Sequence, residues 1–61
     1  MTDKELKEYA LVGILVRLDA EQKKLPLATE QSQKVMIETR IDILTQHYNA
    51  ILNDLRQQAG I

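Results

Sequence analysis

The sequence contains no cysteine, tryptophan or phenylalanine. The lack of cysteine excludes disulfides and thiolate metal sites. Only two tyrosines supply aromatic surface, so a core must be built from Leu, Ile, Val, Met and Ala. One proline and two glycines are too few turn residues for a β-sheet protein. A chain of this kind, 44% hydrophobic and 28% charged, is typical of α-helical bundles.

Long apolar segments and an excess of one charge are also missing. The longest apolar run, residues 9–16, is interrupted by Gly13 and is far shorter than the roughly 20 residues that a membrane span needs. Eight basic and nine acidic residues give a net charge of −1, which argues against broad electrostatic attraction to nucleic acid. The charged N-terminal residues do not resemble a signal peptide. We therefore expect one cytoplasmic domain over residues 1–61 that makes no membrane contact.

The first helix is expected at about residues 3–24. Thr2 and Glu5 have the spacing of a capping box, in which each residue's side chain accepts a hydrogen bond from the other's backbone amide. Pro26 is expected to end the helix by displacing Leu25 from the α region.

The second helix is expected at about residues 28–58, after a turn at about residues 25–28. Its start has two alternatives: Pro26 is the first helical residue, or Thr29 caps the helix. Gly60 is suited to the position that follows a helix end. Because the turn is short, the fold class predicted is all-α, an antiparallel two-helix hairpin.

One apolar seam dominates the second helix. Its spacing of 4, 3, 4, 3, 4 residues is that of a heptad repeat, and it predicts a packing surface. The seam comprises Ile37, Ile41, Leu44, Tyr48, Ile51 and Leu55.

The first helix carries two apolar stripes. One comprises Leu11, Ile14, Leu15, Leu18 and Leu25, and the second comprises Tyr9, Val12, Val16 and Ala20. A weaker second face of the other helix comprises Met36, Ile43, His47 and Ala50. A helix in an isolated hairpin needs one stripe, so the extra surface predicts a second contact. Two hairpins paired as a homodimeric four-helix bundle, with the first helix near the centre, would supply it, and so would a different protein. Gly13, beside the second stripe, either permits close approach of another helix or is a tolerated weak position.

Side chains with catalytic or metal-binding chemistry are few. Glu38 and Asp42 lie on the polar side of the second helix, where they are expected to be solvated. His47 is the sole histidine and lacks a glutamate three residues before it, so no bundle metal site is predicted. We therefore expect no enzyme activity, no metal and no cofactor.

These patterns favour a small interaction protein that self-associates and acts as an adaptor or regulator by binding a partner protein. Its size is compatible with a product of a compact genome, such as that of a phage or mobile element. The alternatives are a structural assembly or scaffold subunit and, with less support, a nucleic-acid accessory protein, which salt-dependent DNA retention would reveal. The expected interface residues are Tyr9, Val12, Gly13, Val16, Ala20, Met36, Ile43 and His47.

Overall fold

The computed structural model describes residues 1–58, most of which lie in two α-helices. Helix α1 spans Asp3–Lys24, a short 3-10 helix spans Leu25–Leu27, and α2 spans Gln31–Gln58. Residues 1–58 contain no β-strand. The two helices pack against each other, so the all-α hairpin is confirmed. The expectation for Gly60 lies outside these residues.

The start of α1 is fixed by the predicted capping box. The Thr2 hydroxyl oxygen accepts a hydrogen bond from the Glu5 amide at 3.2 Å, and the Glu5 carboxylate accepts one from the Thr2 amide at 3.1 Å. These bonds satisfy two amides that the first helical turn leaves without intrahelical partners. Both predicted bounds of α1 are confirmed.

The prediction that Pro26 displaces Leu25 from the α region was wrong. Leu25 keeps α-helical backbone angles, and its amide still donates to the Glu21 carbonyl. Proline has no amide hydrogen, so the α-helical bonding pattern cannot continue through residue 26. The chain instead makes one 3-10 turn, closed by a 3.2 Å bond from the Ala28 amide to the Leu25 carbonyl, and becomes extended at Ala28.

Helix α2 begins three residues later than predicted, at Gln31, because its capping signal was missed. The Glu30 carbonyl accepts the first helical bond, from the Lys34 amide at 3.1 Å. The Gln33 side chain accepts bonds from the Thr29 and Glu30 amides at 3.3 and 3.4 Å. The start therefore lies beyond both alternatives, the Pro26 start and the Thr29 cap.

The helices meet along the seam of α2. Ile37 is 6% exposed and is the one buried hydrophobic residue among residues 1–58. The other five seam residues are half-buried, as are Leu11, Ile14 and Leu18 of α1 and Leu25 of the 3-10 helix. The assignment of Leu15 to this stripe was wrong, since its side chain is 49% exposed. At 100° per residue, position 15 lies about 80° from the centre of the contact. The core is therefore shallow.

Polar contacts join the open end of the hairpin. The Lys7 ammonium lies 3.1 Å from the Asp3 carboxylate and 3.2 Å from that of Asp54. The Gln58 amide donates to Asp3 at 3.1 Å, which places the start of α1 beside the end of α2 and shows that the helices are antiparallel. Hydrogen bonds from Lys7 and then from Gln58 hold the pKa of Asp3 below its ordinary value.

Replacing Lys7 by alanine is expected to raise the pKa of Asp3 toward its ordinary value of 3.8. The folded pKa is the lower one, so this ionisation stabilises the hairpin above the unfolded pKa, and the effect is lost as the pH falls through the folded pKa. An NMR titration of the Asp3 carboxyl carbon measures the change. Lys4→Ala is the control, because Lys4 pairs with Glu8 at 4.0 Å. Equal Asp3 titration in the two variants would contradict the expectation.

Candidate interaction surfaces

The side of α1 that faces away from α2 is apolar and exposed. Tyr9, Val12 and Val16 are 64%, 57% and 64% exposed. Helical spacing places them roughly opposite the residues that contact α2. We call these three residues the outer face of α1. They are the part of the predicted second stripe that α2 leaves fully accessible.

A second apolar surface lies along one side of the hairpin, where α1 and α2 meet. This lateral groove is open to solvent and has a volume of about 410 Å³. Its lining comprises Arg17, Ala20, Glu21 and Lys24 from α1 and Arg40, Ile43 and Leu44 from α2. Ala20 therefore joins Ile43 in the groove, at the edge of the outer face. The groove carries three cationic side chains and one carboxylate, so its charge is positive.

The remaining predicted interface residues of α2 lie near this groove. Met36 is 59% exposed and lines a separate cleft of about 310 Å³ beside the turn, together with Leu27. His47 is exposed one helical turn beyond Ile43. The spacing from Met36 to Ile43 to His47 places all three on one side of α2.

The structure thus divides the predicted interface residues into two surfaces that point in different directions. One is the outer face of α1, and the other is the lateral groove with its neighbours on α2. Sequence reasoning treated them as one set, because the pattern of a single helix does not show how the other helix is rotated against it.

Glu21 is a structural residue that the sequence interpretation missed. Its side chain is 13% exposed, and one carboxylate oxygen lies 3.1 Å from the Arg40 guanidinium and 3.6 Å from the Lys24 ammonium. The other oxygen is buried and accepts no hydrogen bond from the part of the chain that the structure describes. Heptad spacing was the available signal, because position 21 lies three residues after Leu18 and four before Leu25.

Gly13 lies beside the outer face, where α2 does not approach. A β-carbon built at this position would meet no atom within 4 Å among the described residues. The packing of α1 on α2 therefore does not require a glycine here. The two interpretations of Gly13, close approach of another chain and a tolerated weak position, both remain compatible with this geometry.

Side chains suited to catalysis do not converge. Glu38 and Asp42 are exposed on α2. Residues 1–58 contain no group of three metal-ligating side chains close enough to hold an ion. Neither of the helices described has an apolar stretch that would reach across a bilayer. The features that stand out in this part of the chain are the two exposed apolar surfaces.

Residues 1–58 define a helical hairpin with a shallow core and two exposed apolar surfaces. Comparisons with protein-family models, curated proteins and solved structures gave no match to this chain.

Proposed function

We propose that this chain is a small non-enzymatic interaction protein that self-associates and acts as an adaptor or regulator by binding a partner protein. The observation that carries the proposal is the imbalance between its core and its surface. Ile37 is buried, whereas each side chain of the outer face of α1 is more than half exposed.

The energetics of so small a core favour association. A chain of about 60 residues buries only about 60% of the surface that its unfolded form exposes. Ordering the backbone costs about 1–2 kcal/mol per residue, and full burial of a Val- or Leu-sized side chain returns about 1.5–3 kcal/mol. With Tyr9, Val12 and Val16 in solvent, the hairpin leaves much of this stabilisation unused. Contact with another chain would recover it, because association and folding then reinforce each other.

Pairing through the outer face of α1 would give a dimer with four helices. The two copies of α1 would lie at its centre and the two copies of α2 at its outside. Because the outer face is roughly opposite α2, the four helices would lie side by side in a row, which differs from the four-helix bundle expected from the sequence. The lateral groove of each hairpin would then remain open to a partner protein.

Self-association is tested by sedimentation equilibrium at micromolar concentration. We expect the mass of a dimer or larger species, because a folded monomer would leave the outer face of α1 in water. Circular dichroism of the same samples reports whether the chain is helical. A fully folded species of 7.0 kDa, with a mass independent of concentration, would contradict the proposal.

The lateral groove is the proposed site for the partner protein. Ala20, Ile43 and Leu44 provide apolar contacts, and Arg17 and Arg40 lie beside them. A groove of this composition suits the apolar face of a partner helix that carries acidic flanking residues.

Placing a carboxylate in the groove, by Ile43→Glu, is expected to abolish retention of the partner in a pull-down from cell lysate. The new carboxylate would remove an apolar contact, offset the positive charge of the groove and repel the acidic flanking residues of the partner helix. The mass of the dimer should not change, because Ile43 does not lie on the outer face of α1. Gln46→Glu adds the same charge at an exposed position of α2 and serves as the control. Equal recovery of the partner by both variants would remove the groove as its site.

A scaffold subunit is the second candidate, and the presence of two apolar surfaces favours it. Two surfaces that point in different directions can each bind another copy, and a contact that does not close on itself continues to grow. Sedimentation across a concentration series separates the two candidates. An adaptor dimer reaches a constant mass, whereas a scaffold subunit keeps increasing in mass.

A further inference from the structure

From the charges around the outer face of α1, we infer that its occupant is a second copy of this chain, bound antiparallel and centred on residue 14. This inference rests on the proposed self-association. It adds the identity of the occupant, the direction of the paired helices and their alignment.

The outer face continues in both directions along α1 with heptad spacing. The complete outer seam comprises Glu5, Tyr9, Val12, Val16, Asp19 and Lys23, separated by 4, 3, 4, 3 and 4 residues. All six side chains are exposed in the hairpin. The middle of the seam is apolar, its first residue is acidic and its last residue is basic. The charges are therefore distributed asymmetrically along the helix, so the two pairing directions place different groups opposite each other.

Antiparallel pairing matches unlike groups along this seam. A two-fold axis near residue 14 places Glu5 opposite Lys23 of the second copy and Val12 against Val16 of the second copy. It also places the Tyr9 hydroxyl beside the carboxylate of Asp19, to which it can donate a hydrogen bond. Within each chain, Asp19 and Lys23 are already paired at 2.9 Å, so Lys23 would lie between two carboxylates. By symmetry each contact occurs twice.

Parallel pairing places like charges together on the same seam. Glu5 would then face Glu5, Asp19 would face Asp19, and Lys23 would face Lys23. Like charges at facing positions oppose association and help to set the orientation of helices. The charges of α1 therefore select the antiparallel arrangement.

The positions that flank the seam are compatible with this arrangement. In an antiparallel pair, equivalent flanking positions of the two copies lie on the same side. The two copies of Leu15, each 49% exposed in the hairpin, would meet near the axis on one side. On the other side the two copies of Gly13 would meet, where the absence of a side chain permits close approach. Leu6, 54% exposed, would lie beside Ala20 of the second copy.

Spin labels at two exposed positions that flank the seam test the inference. The chain has no cysteine, so Glu8→Cys and Gln22→Cys each give one unique label. Antiparallel pairing separates two labels at position 8 by about 18 Å along the axis and two at position 22 by about 24 Å, at 1.5 Å per residue. In a mixture of the two variants, labels at 8 and 22 on opposite chains lie within about 3 Å of the same level.

Dipolar EPR spectroscopy of the three samples distinguishes a failure of the inferred antiparallel pairing from a failure of the proposed self-association. Long distances within each variant, with strong short-range coupling only in the mixture, are the expected result. In a parallel pair, labels at the same position lie at the same level on opposite sides of the pair. Equal distances within the two variants and a longer distance in the mixture, with an axial separation of about 21 Å, therefore indicate parallel pairing, which overturns the inference while self-association stands. Any other set of distances in a species of dimer mass also overturns it. Monomer mass without intermolecular coupling contradicts both.

Discussion

Replacing Ile37 by alanine is expected to unfold most of the chain. Ile37 is 6% exposed, and it lies where the seam of α2 meets the turn end of α1. Truncating a buried isoleucine costs about 2–5 kcal/mol, because apolar contacts are lost and a cavity remains. Small domains have about 5 kcal/mol of total stability, so the loss is close to the whole. Urea or thermal unfolding followed by circular dichroism at constant protein concentration measures the effect.

Val35→Ala is the matched control for this experiment. Val35 lies on the same helix, two residues away, and its side chain is 49% exposed. Its truncation is expected to change the free energy of unfolding by less than about 1 kcal/mol. Equal destabilisation by the two variants would mean that the contact between the helices does not depend on the seam of α2.

Introducing a carboxylate on the outer face of α1, by Val16→Glu, is expected to dissociate the protein. Val16 is 64% exposed in the hairpin, so the new charge is solvated in a monomer and costs little there. In a dimer paired through this face, the carboxylate is buried without a partner, and two-fold symmetry imposes the cost twice. Light scattering should therefore show half the native mass. Circular dichroism should show reduced stability with some remaining helix, because the capping box is unchanged.

The control for Val16→Glu is Gln46→Glu, which introduces the same charge at an exposed position of α2 outside both apolar surfaces. That variant is expected to keep the native mass. Native mass with loss of the partner protein in Val16→Glu would assign the outer face to the partner instead of a second copy. Native mass, native stability and full partner binding would mean that the outer face is ordinary surface.

Local patterns were the most predictable part of the fold. The capping box of Thr2 and Glu5 depends on residues three positions apart, and the seam of α2 repeats over nearly three heptads. Signals of this kind depend on one helix alone, so they need no knowledge of tertiary structure. The hairpin followed from the short connection between the two helices.

The wrong predictions came from general sequence rules that were applied without the specific side-chain and backbone hydrogen bonds of this chain. Steric pressure from Pro26 was expected to distort Leu25, but the backbone kept its helical angles and changed its bonding pattern instead. The start of α2 depends on Gln33, whose side-chain amide was not weighed as a cap. Glu21 was not assigned to the contact between the helices, although heptad spacing places it in line with Leu18 and Leu25.

The sequence did not predict how the apolar residues divide into two surfaces. Ala20 shares a stripe with Val16 on α1, yet it lines the lateral groove with Ile43. That relation depends on how each helix is rotated about its axis. The rotation is set by the packing of whole side-chain rows against each other.

The ion pair between Glu21 and Arg40 has a consequence for how the two helices align. Aliphatic seams with heptad spacing tolerate sliding, because a shift of one turn replaces one branched side chain by another. Such a shift of α2 would move Glu21 away from Arg40 and toward Leu44 or Ile37. A carboxylate against aliphatic side chains is strongly unfavourable. The ion pair therefore raises the free energy of hairpins with a shifted α2 by more than it lowers that of the native hairpin. We therefore expect a Glu21→Leu chain to remain helical but to populate several registers, seen as extra amide peaks in NMR spectra.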